Sequence, residues 1–197
     1  MIKKIGIIPS IIERRDSLNI IIDTKLIEFI KKCFPKYQLV TLLEKQTKEK
    51  LNLILSGGGN SIISLKKNKA NIFRKTLDDY YFKYSIENDI PFLGVCHGAQ
   101  YIAGYYKSKI IKKKNHTRKN HIIKLSSQKK MKVNSYHDFS IVKLGKSLNN
   151  LAFTEDGSIE AFKHKNKKIL GIMWHPERFK KRRKDQERFI KNFLFKK

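Results

Sequence analysis

Residues 90–95, Ile-Pro-Phe-Leu-Gly-Val, form a short apolar run that stops at Cys96, with Gly94 two residues before the cysteine and Gly98 two after it. A run of that length bounded by proline predicts a buried strand, and the Ala99 to Tyr106 stretch beyond it predicts a helix. Strand, sharp turn and helix, with the cysteine on the turn, is the sequence form of a nucleophile elbow written with Cys in place of Ser. The glycines follow from crowding: a side chain raised on so tight a turn needs neighbours without Cβ atoms. A sulfur at a helix N-terminus also faces the positive end of the helix dipole. Taken alone, such a cysteine is more often a small buried hydrophobe. The choice depends on whether the chain also supplies a base, a carboxylate to orient it and donors for an oxyanion.

The chain around the elbow is one of α/β character. Residues 3–9, 38–43 and 51–55 predict strands, and Leu26, Ile27, Ile30 and Phe34 mark a helical face that stops at Pro35. The third strand runs into Ser56-Gly57-Gly58-Gly59-Asn60, three glycines whose N–H groups can be turned onto an anion. From residue 71 to 87, Ile72, Phe73, Leu77, Tyr80, Tyr81 and Tyr84 recur at helical spacing, an aromatic stripe expected to face the core. The alternation of strand, glycine loop, helix, strand and elbow implies a parallel sheet. After the elbow helix, short β-like runs at 109–111, 121–125, 132–134, 140–142, 151–154 and 159–162 predict antiparallel hairpins attached to that sheet. A last apolar run, 169–174, precedes a terminal amphipathic helix carrying Phe189, Ile190, Phe193 and Leu194. No internal repeat or linker divides the 197 residues, which are read as a single catalytic domain over 1–197.

The base is found at the end of that last run. His175-Pro176-Glu177 places an imidazole two residues from a carboxylate, and Pro176 drives His175 towards an extended conformation. Residues two apart on an extended chain project to the same side, so Glu177 can hold one ring nitrogen while the other meets a thiol. The order nucleophile, histidine, acid differs from that of an α/β-hydrolase. His97, His116, His121, His137 and His164 lack compact ligand spacing, and neither a bound metal nor a cofactor is expected.

Five blocks in order carry a family resemblance over nearly the whole chain. They are Ser56 to Gly59, Gly94 to Gln100, Asn134 to His137, Ile159 to Phe162, and Gly171 to Glu177. The chain resembles the class I glutamine amidotransferases, and among them the branch of γ-glutamyl amide hydrolases. The resemblance implies a Cys96-His175-Glu177 triad on a flavodoxin-like, mostly parallel sheet flanked by helices, with an added antiparallel β portion. It implies that backbone N–H groups of His97 and of Gly58 or Gly59 form the oxyanion hole. It also implies that Gln100 and the backbone around Asn134, Ser135 and Tyr136 hold the glutamate moiety, with His137 lining the pocket. Within the branch, the likeness is to members that split γ-glutamyl-CDP-amidate into glutamate and cytidine diphosphoramidate during capsular phosphoramidate synthesis. A glutaminase that supplies ammonia to a separate synthase, or a γ-glutamyl-amine hydrolase, uses the same site.

Charge has to be fitted to this picture. The formal net charge is +27, with 44 Lys and Arg against 17 Asp and Glu. Such a field attracts nucleic acid or a phosphorylated substrate. The lysines are spread along the chain, so a compositional origin stands beside a selected one. A basic nucleic-acid-binding protein would leave the Cys, His and Glu set without a purpose, and the expected partner is a small γ-glutamyl nucleotide, with homo-oligomers allowed. Arg14 and Arg15 lie just after the first strand, at the rim where an open α/β sheet binds ligands, and can fork onto a diphosphate; a surface loop tied by Glu13 and Asp16 is the competing reading. Two cysteines make no disulfide framework, and the N-terminus lacks the apolar stretch of a signal peptide. No apolar run reaches membrane-spanning length, and the expected location is the cytoplasm.

Overall fold

The computed structural model describes residues 2–47, 49–113 and 119–195. Lys114 and His116 lie outside the described residues. The chain runs β1 (Lys3–Ile8), β2 (Ser10–Arg14), β3 (Ser17–Ile21), α1 (Thr24–Cys33), β4 (Tyr37–Thr41), β5 (Leu53–Ser56), α2 (Lys69–Glu87), β6 (Phe92–Val95) and α3 (His97–Tyr105). It continues through β7 (Lys109–Lys112), β8 (Lys119–Leu125), β9 (Lys130–Ser135), β10 (Phe139–Lys143), β11 (Leu148–Phe153), β12 (Ile159–His164) and β13 (Ile169–Ile172) to α4 (Lys184–Phe195).

Most strands form one mixed sheet in the order β4-β1-β5-β6-β13-β12-β11-β8-β9, with β10 paired to β12 and β7. The first five strands of that order pair in parallel, and β12 onwards pair antiparallel. The expected parallel sheet with attached hairpins is therefore a single continuous sheet, joined where β12 lies along β13.

β5, β6 and β13 are four residues each and buried throughout, as parallel strands covered on both faces must be. Their side chains alternate between two cores. Leu53, Leu55, Leu93, Val95 and Ile172 pack with Leu26 and Ile30 of α1 and Ile190 and Leu194 of α4. Ile54, Phe92 and Ile169 pack on the other face with Leu77, Tyr81 and Phe82 of α2 and Ile102 of α3. Helices thus cover both faces of the parallel half.

Local signals account for the helix starts. The Asp23 carboxylate accepts from Lys25 N–H at 2.9 Å at the head of α1, and the Asn68 side chain accepts from Asn71 N–H at 2.8 Å at the head of α2. Cys33 is buried against α4, and burial together with the Glu187 carboxylate pushes its thiol up to about 12. It is a packing residue.

Two expectations need correction. Residues 10–21 are a hairpin, β2 against β3, where a loop was expected. Its two-residue turn is Arg15-Asp16 with Arg15 at φ 51°, so it lacks the glycine that normally signals such a turn. The aromatic stripe of α2 is also only partly internal. Leu77 and Tyr81 are buried as expected, whereas Ile72 and Phe73 are exposed, and the positions between them carry a wholly buried Arg74 and Asp78. Among the described residues no helix is long and apolar enough to cross a membrane.

Candidate active site

β6 delivers Cys96 to the junction with α3 at φ 52°, ψ −97°, a left-handed backbone that costs an L-residue about 1–3 kcal/mol. The surrounding structure holds it there: Cys96 N–H donates to the Ile172 carbonyl of β13 at 2.8 Å, and its own carbonyl accepts from Gln100 N–H at 2.9 Å. Both elbow glycines are needed for close approach. A Cβ on Gly94 would lie 2.5 Å from the Gly98 backbone, and one on Gly98 would lie 2.2 Å from the Ser56 carbonyl. The helix begins at His97, two residues earlier than expected, so the sulfur sits directly at its N-terminus.

His175 leaves β13 in an extended conformation, φ −108°, ψ 91°. Pro176 to Arg178 then make one turn of 3₁₀ helix, so Glu177 reaches the imidazole through a turn instead of along a strand. Proline explains both halves: it disfavours the helical region before itself and is pre-set for the first position of a helical turn. His175 Nδ1 and Glu177 Oε1 are 2.6 Å apart, and each side chain is only 3% exposed. Burial opposes a charge on His175, but the neighbouring Cys96 sulfur and then Glu177 outweigh it and raise the imidazole to about 9.

The glycine loop closes on the same point. A Cβ built on Gly58 would lie 2.6 Å from His175 Cε1 and 3.5 Å from Cys96 Cβ. Cys96, His175 and the loop therefore meet where a side chain on Gly58 would have to displace the imidazole. Beside them a cavity of about 170 Å³ is lined by Gly57, Gly58, Gly59, His175, Glu177 and Arg178, with Ser10, Ile12, Ile21 and Asp23 across from them.

The other expected site residues differ in where they lie. Gln100 is buried in the first turn of α3, and Ser135 is buried at the end of β9 with its hydroxyl lacking a hydrogen-bond partner among the described residues. Tyr136 stands edge-on to the His175 ring, centroids 5.7 Å apart. His137 is buried, donates from Nδ1 to the Phe139 carbonyl at 2.8 Å, and has Nε2 3.7 Å from Glu160 Oε1. The Asn134 side chain is directed at His175: Nδ2 donates to the His175 carbonyl and Oδ1 accepts from His175 N–H, both at 2.8 Å. One donor and one acceptor of its amide thus hold His175 in place.

Arg14 and Arg15 are not brought to this point. Both are exposed at the tip of the β2–β3 hairpin, and neither lines the cavity. The guanidinium in the cavity wall is that of Arg178, stacked 4.6 Å over the Tyr136 ring. Arg178 directly follows the His-Pro-Glu stretch, and that adjacency was the available sequence signal. Arg74 and Asp78 were also missed; their i,i+4 spacing inside an apolar stripe was the clue. Among the described residues no group of three or more His, Cys, Asp or Glu is arranged to hold a metal ion.

Comparison with known proteins adds to this geometry. Residues 28–197 match the family described as glutamine amidotransferase class-I. The γ-glutamyl-CDP-amidate hydrolase of Campylobacter jejuni is 39% identical over 131 residues, which cover 66% of this chain and 64% of that protein. A glutamine-hydrolysing GMP synthase subunit of Thermoplasma volcanium is 26% identical over 133 residues, 64% of this chain and 61% of that one. The chain thus aligns with less than two thirds of the length of either relative. A glutamine amidotransferase structure from Thermotoga maritima superposes with a TM-score of 0.66 at 16% identity, covering 90% of this chain and 77% of that one.

Proposed function

The chain belongs to the class-I glutamine amidotransferase family, and on that basis we propose that it is a γ-glutamyl amide hydrolase acting through Cys96, with γ-glutamyl-CDP-amidate as its substrate. The observation that carries the chemistry is the convergence of Gly58, Cys96 and His175 on one point, with Glu177 at 2.6 Å behind the imidazole. The 39% identity to a γ-glutamyl-CDP-amidate hydrolase supports the substrate.

In this reading the Cys96 sulfur attacks the γ-carbonyl. The oxyanion is met by N–H groups of His97 and of the glycine loop, Gly58 or Gly59. His175, protonated at neutral pH, gives its proton to the departing nitrogen, and the tetrahedral intermediate collapses to a γ-glutamyl thioester. The neutral imidazole then takes a proton from water as the water attacks the thioester carbonyl, and glutamate leaves with Cys96 restored. Glu177 keeps the ring oriented throughout. Gln100 and the backbone near Ser135 and Tyr136 hold the glutamate moiety, with His137 lining that pocket. Arg178 is a better-placed partner for a diphosphate than Arg14 or Arg15, because it forms part of the cavity wall.

The test is turnover by the isolated chain on three substrates: glutamine, a γ-glutamyl amine and γ-glutamyl-CDP-amidate. The expected result is a preference of about two orders of magnitude in kcat/KM for the nucleotide substrate, what one or two hydrogen bonds left unmade at about 1–3 kcal/mol each would cost the other substrates. Equal turnover of all three removes the substrate assignment. The likeness to a GMP synthase component favours a second reading, a glutaminase acting with a synthase. Glutamine turnover that appears only when a synthase is added would support it.

A further inference from the structure

A second polar cluster lies buried beside the glycine loop, and the chemistry above uses none of its side chains. Arg74 of α2 is wholly buried, and its donors are distributed over three segments. Nη1 donates to the Pro9 carbonyl at 2.6 Å, Nη2 to Ser56 Oγ at 2.8 Å and to the Gly57 carbonyl at 3.1 Å, and Nε to Asp78 Oδ2 at 3.0 Å. Asp78, equally buried, accepts from Ser56 Oγ at 2.8 Å and lies 2.8 Å from His97 Nε2. The other nitrogen of His97 is 3.1 Å from the Asn60 carbonyl. Burial first and Arg74 second hold His97 below the ordinary imidazole range against the pull of Asp78, and Arg74 keeps the Asp78 carboxyl low despite its burial.

Such a cluster is a poor device for stability alone, since a buried ion pair gains little over apolar side chains of the same volume. What distinguishes it is what it binds: the end of β1, the glycine loop and the first residue of α3, the segments that surround Cys96. Glycines fix their own peptide planes weakly, so a run of three needs outside constraints. In a trans peptide the C=O and N–H point in opposite directions. With the Gly57 carbonyl turned onto Arg74, the Gly58 N–H is directed away from Arg74. The Ser10 hydroxyl donates to the Gly58 carbonyl and fixes the next peptide in the same way. Gly58 itself lies against both reactive side chains, a Cβ built on it meeting His175 Cε1 at 2.6 Å and standing 3.5 Å from Cys96 Cβ.

We infer that Arg74 and Ser10 are positioning residues that lock the Gly57–Gly58 and Gly58–Gly59 peptides with their N–H groups presented to the oxyanion at Cys96, while Asp78 and His97 tie the same guanidinium to the head of α3. The inference rests on the thioester chemistry proposed above.

The test compares two reactions of Cys96. Hydrolysis of a γ-glutamyl anilide passes through an oxyanion; alkylation by iodoacetamide is a displacement at a methylene carbon and does not. Arg74→Lys keeps the charge but loses the fork that serves several acceptors at once. It is expected to lower kcat about 100-fold, the worth of one oxyanion donor, with KM within about threefold. Ser10→Ala, a smaller change on a half-buried side chain, is expected to lower kcat about tenfold and decides the matter if Arg74→Lys does not fold. In both variants the rate and pH dependence of alkylation, followed by mass at Cys96, stay those of the parent chain. A parent chain that releases aniline, with variants whose kcat stays within twofold or whose alkylation falls in step with kcat, overturns this assignment alone. A parent chain that releases none overturns the proposed function and this assignment with it.

Discussion

Asn134 holds His175 by both ends of its backbone, Nδ2 on the carbonyl and Oδ1 on the N–H, each at 2.8 Å. Because β9 carries Asn134 and β13 leads into His175, the amide connects the antiparallel end of the sheet to its parallel centre. Asn134→Ala removes two buried hydrogen bonds and leaves their backbone partners unpaired, at a cost of about 2–4 kcal/mol. His175, the base of the proposed mechanism, then loses its placement, so kcat is expected to fall about 10- to 100-fold with KM less affected. Thermal melting and steady-state kinetics on the same variant check the two parts.

The strained backbone of Cys96 reverses a familiar order of stability. At an ordinary position alanine stabilises more than glycine, but at φ 52° only glycine sits without strain. Cys96→Gly is expected to melt about 2–4 °C above Cys96→Ala, corresponding to about 1 kcal/mol, with both inactive. Equal melting temperatures would mean that the elbow stores no strain.

Two glycines of the site separate function from folding. A Cβ on Gly98 would enter the Ser56 carbonyl, which is backbone and cannot move aside, so Gly98→Ala is expected to lose about 3 kcal/mol or more. A Cβ on Gly58 would meet the His175 ring, a side chain that can turn away. Gly58→Ala is therefore expected to fold with nearly the parent melting temperature and to lose activity. Calorimetry and turnover on the pair test the contrast.

The raised His175 imidazole sets an alkaline limit. A folded value of about 9 against an ordinary 6.5 means that the proton is held more tightly in the folded chain. Its contribution to stability is complete below about pH 6.5 and is lost as the pH rises through about 9. In the proposed mechanism that proton is the one given to the leaving nitrogen, so kcat/KM is expected to fall on the same limb. Glu177→Gln removes one of the groups that hold it, and the limb should move down towards 6.5. A pH–rate profile of both proteins that shows no displacement would remove Glu177 from this role.

Much of this was legible in the sequence because the site is written in local terms. A glycine on either side of Cys96, a proline after His175 and a glycine run after a buried strand each constrain the backbone within a few residues. The hairpin at Arg15 was missed because its turn uses a left-handed arginine, which carries no compositional mark. The task of Asn134 was missed because side-chain partners across strands are set by register, and β8 pairs β9 through the full run of Asn134 while β13 lies elsewhere in the sheet. Arg74 and Asp78 were hidden by a helical stripe that looked uniformly apolar, since periodicity shows which face is buried but not whether a charge on it is compensated.

The place of β13 has a consequence for how the enzyme is made. It is the last strand in chain order, yet it lies between β6 and β12 at the middle of the sheet. While the chain leaves the ribosome, the free side of β6 stays open, with Cys96 at its tip, until that strand emerges and enters the gap. Pairing at such sequence separation is slow and exposes an unpaired edge in the meantime. The Cys96 thiol is thus synthesised long before His175, and in the proposed mechanism the newborn chain carries its nucleophile without its base until the sheet is closed.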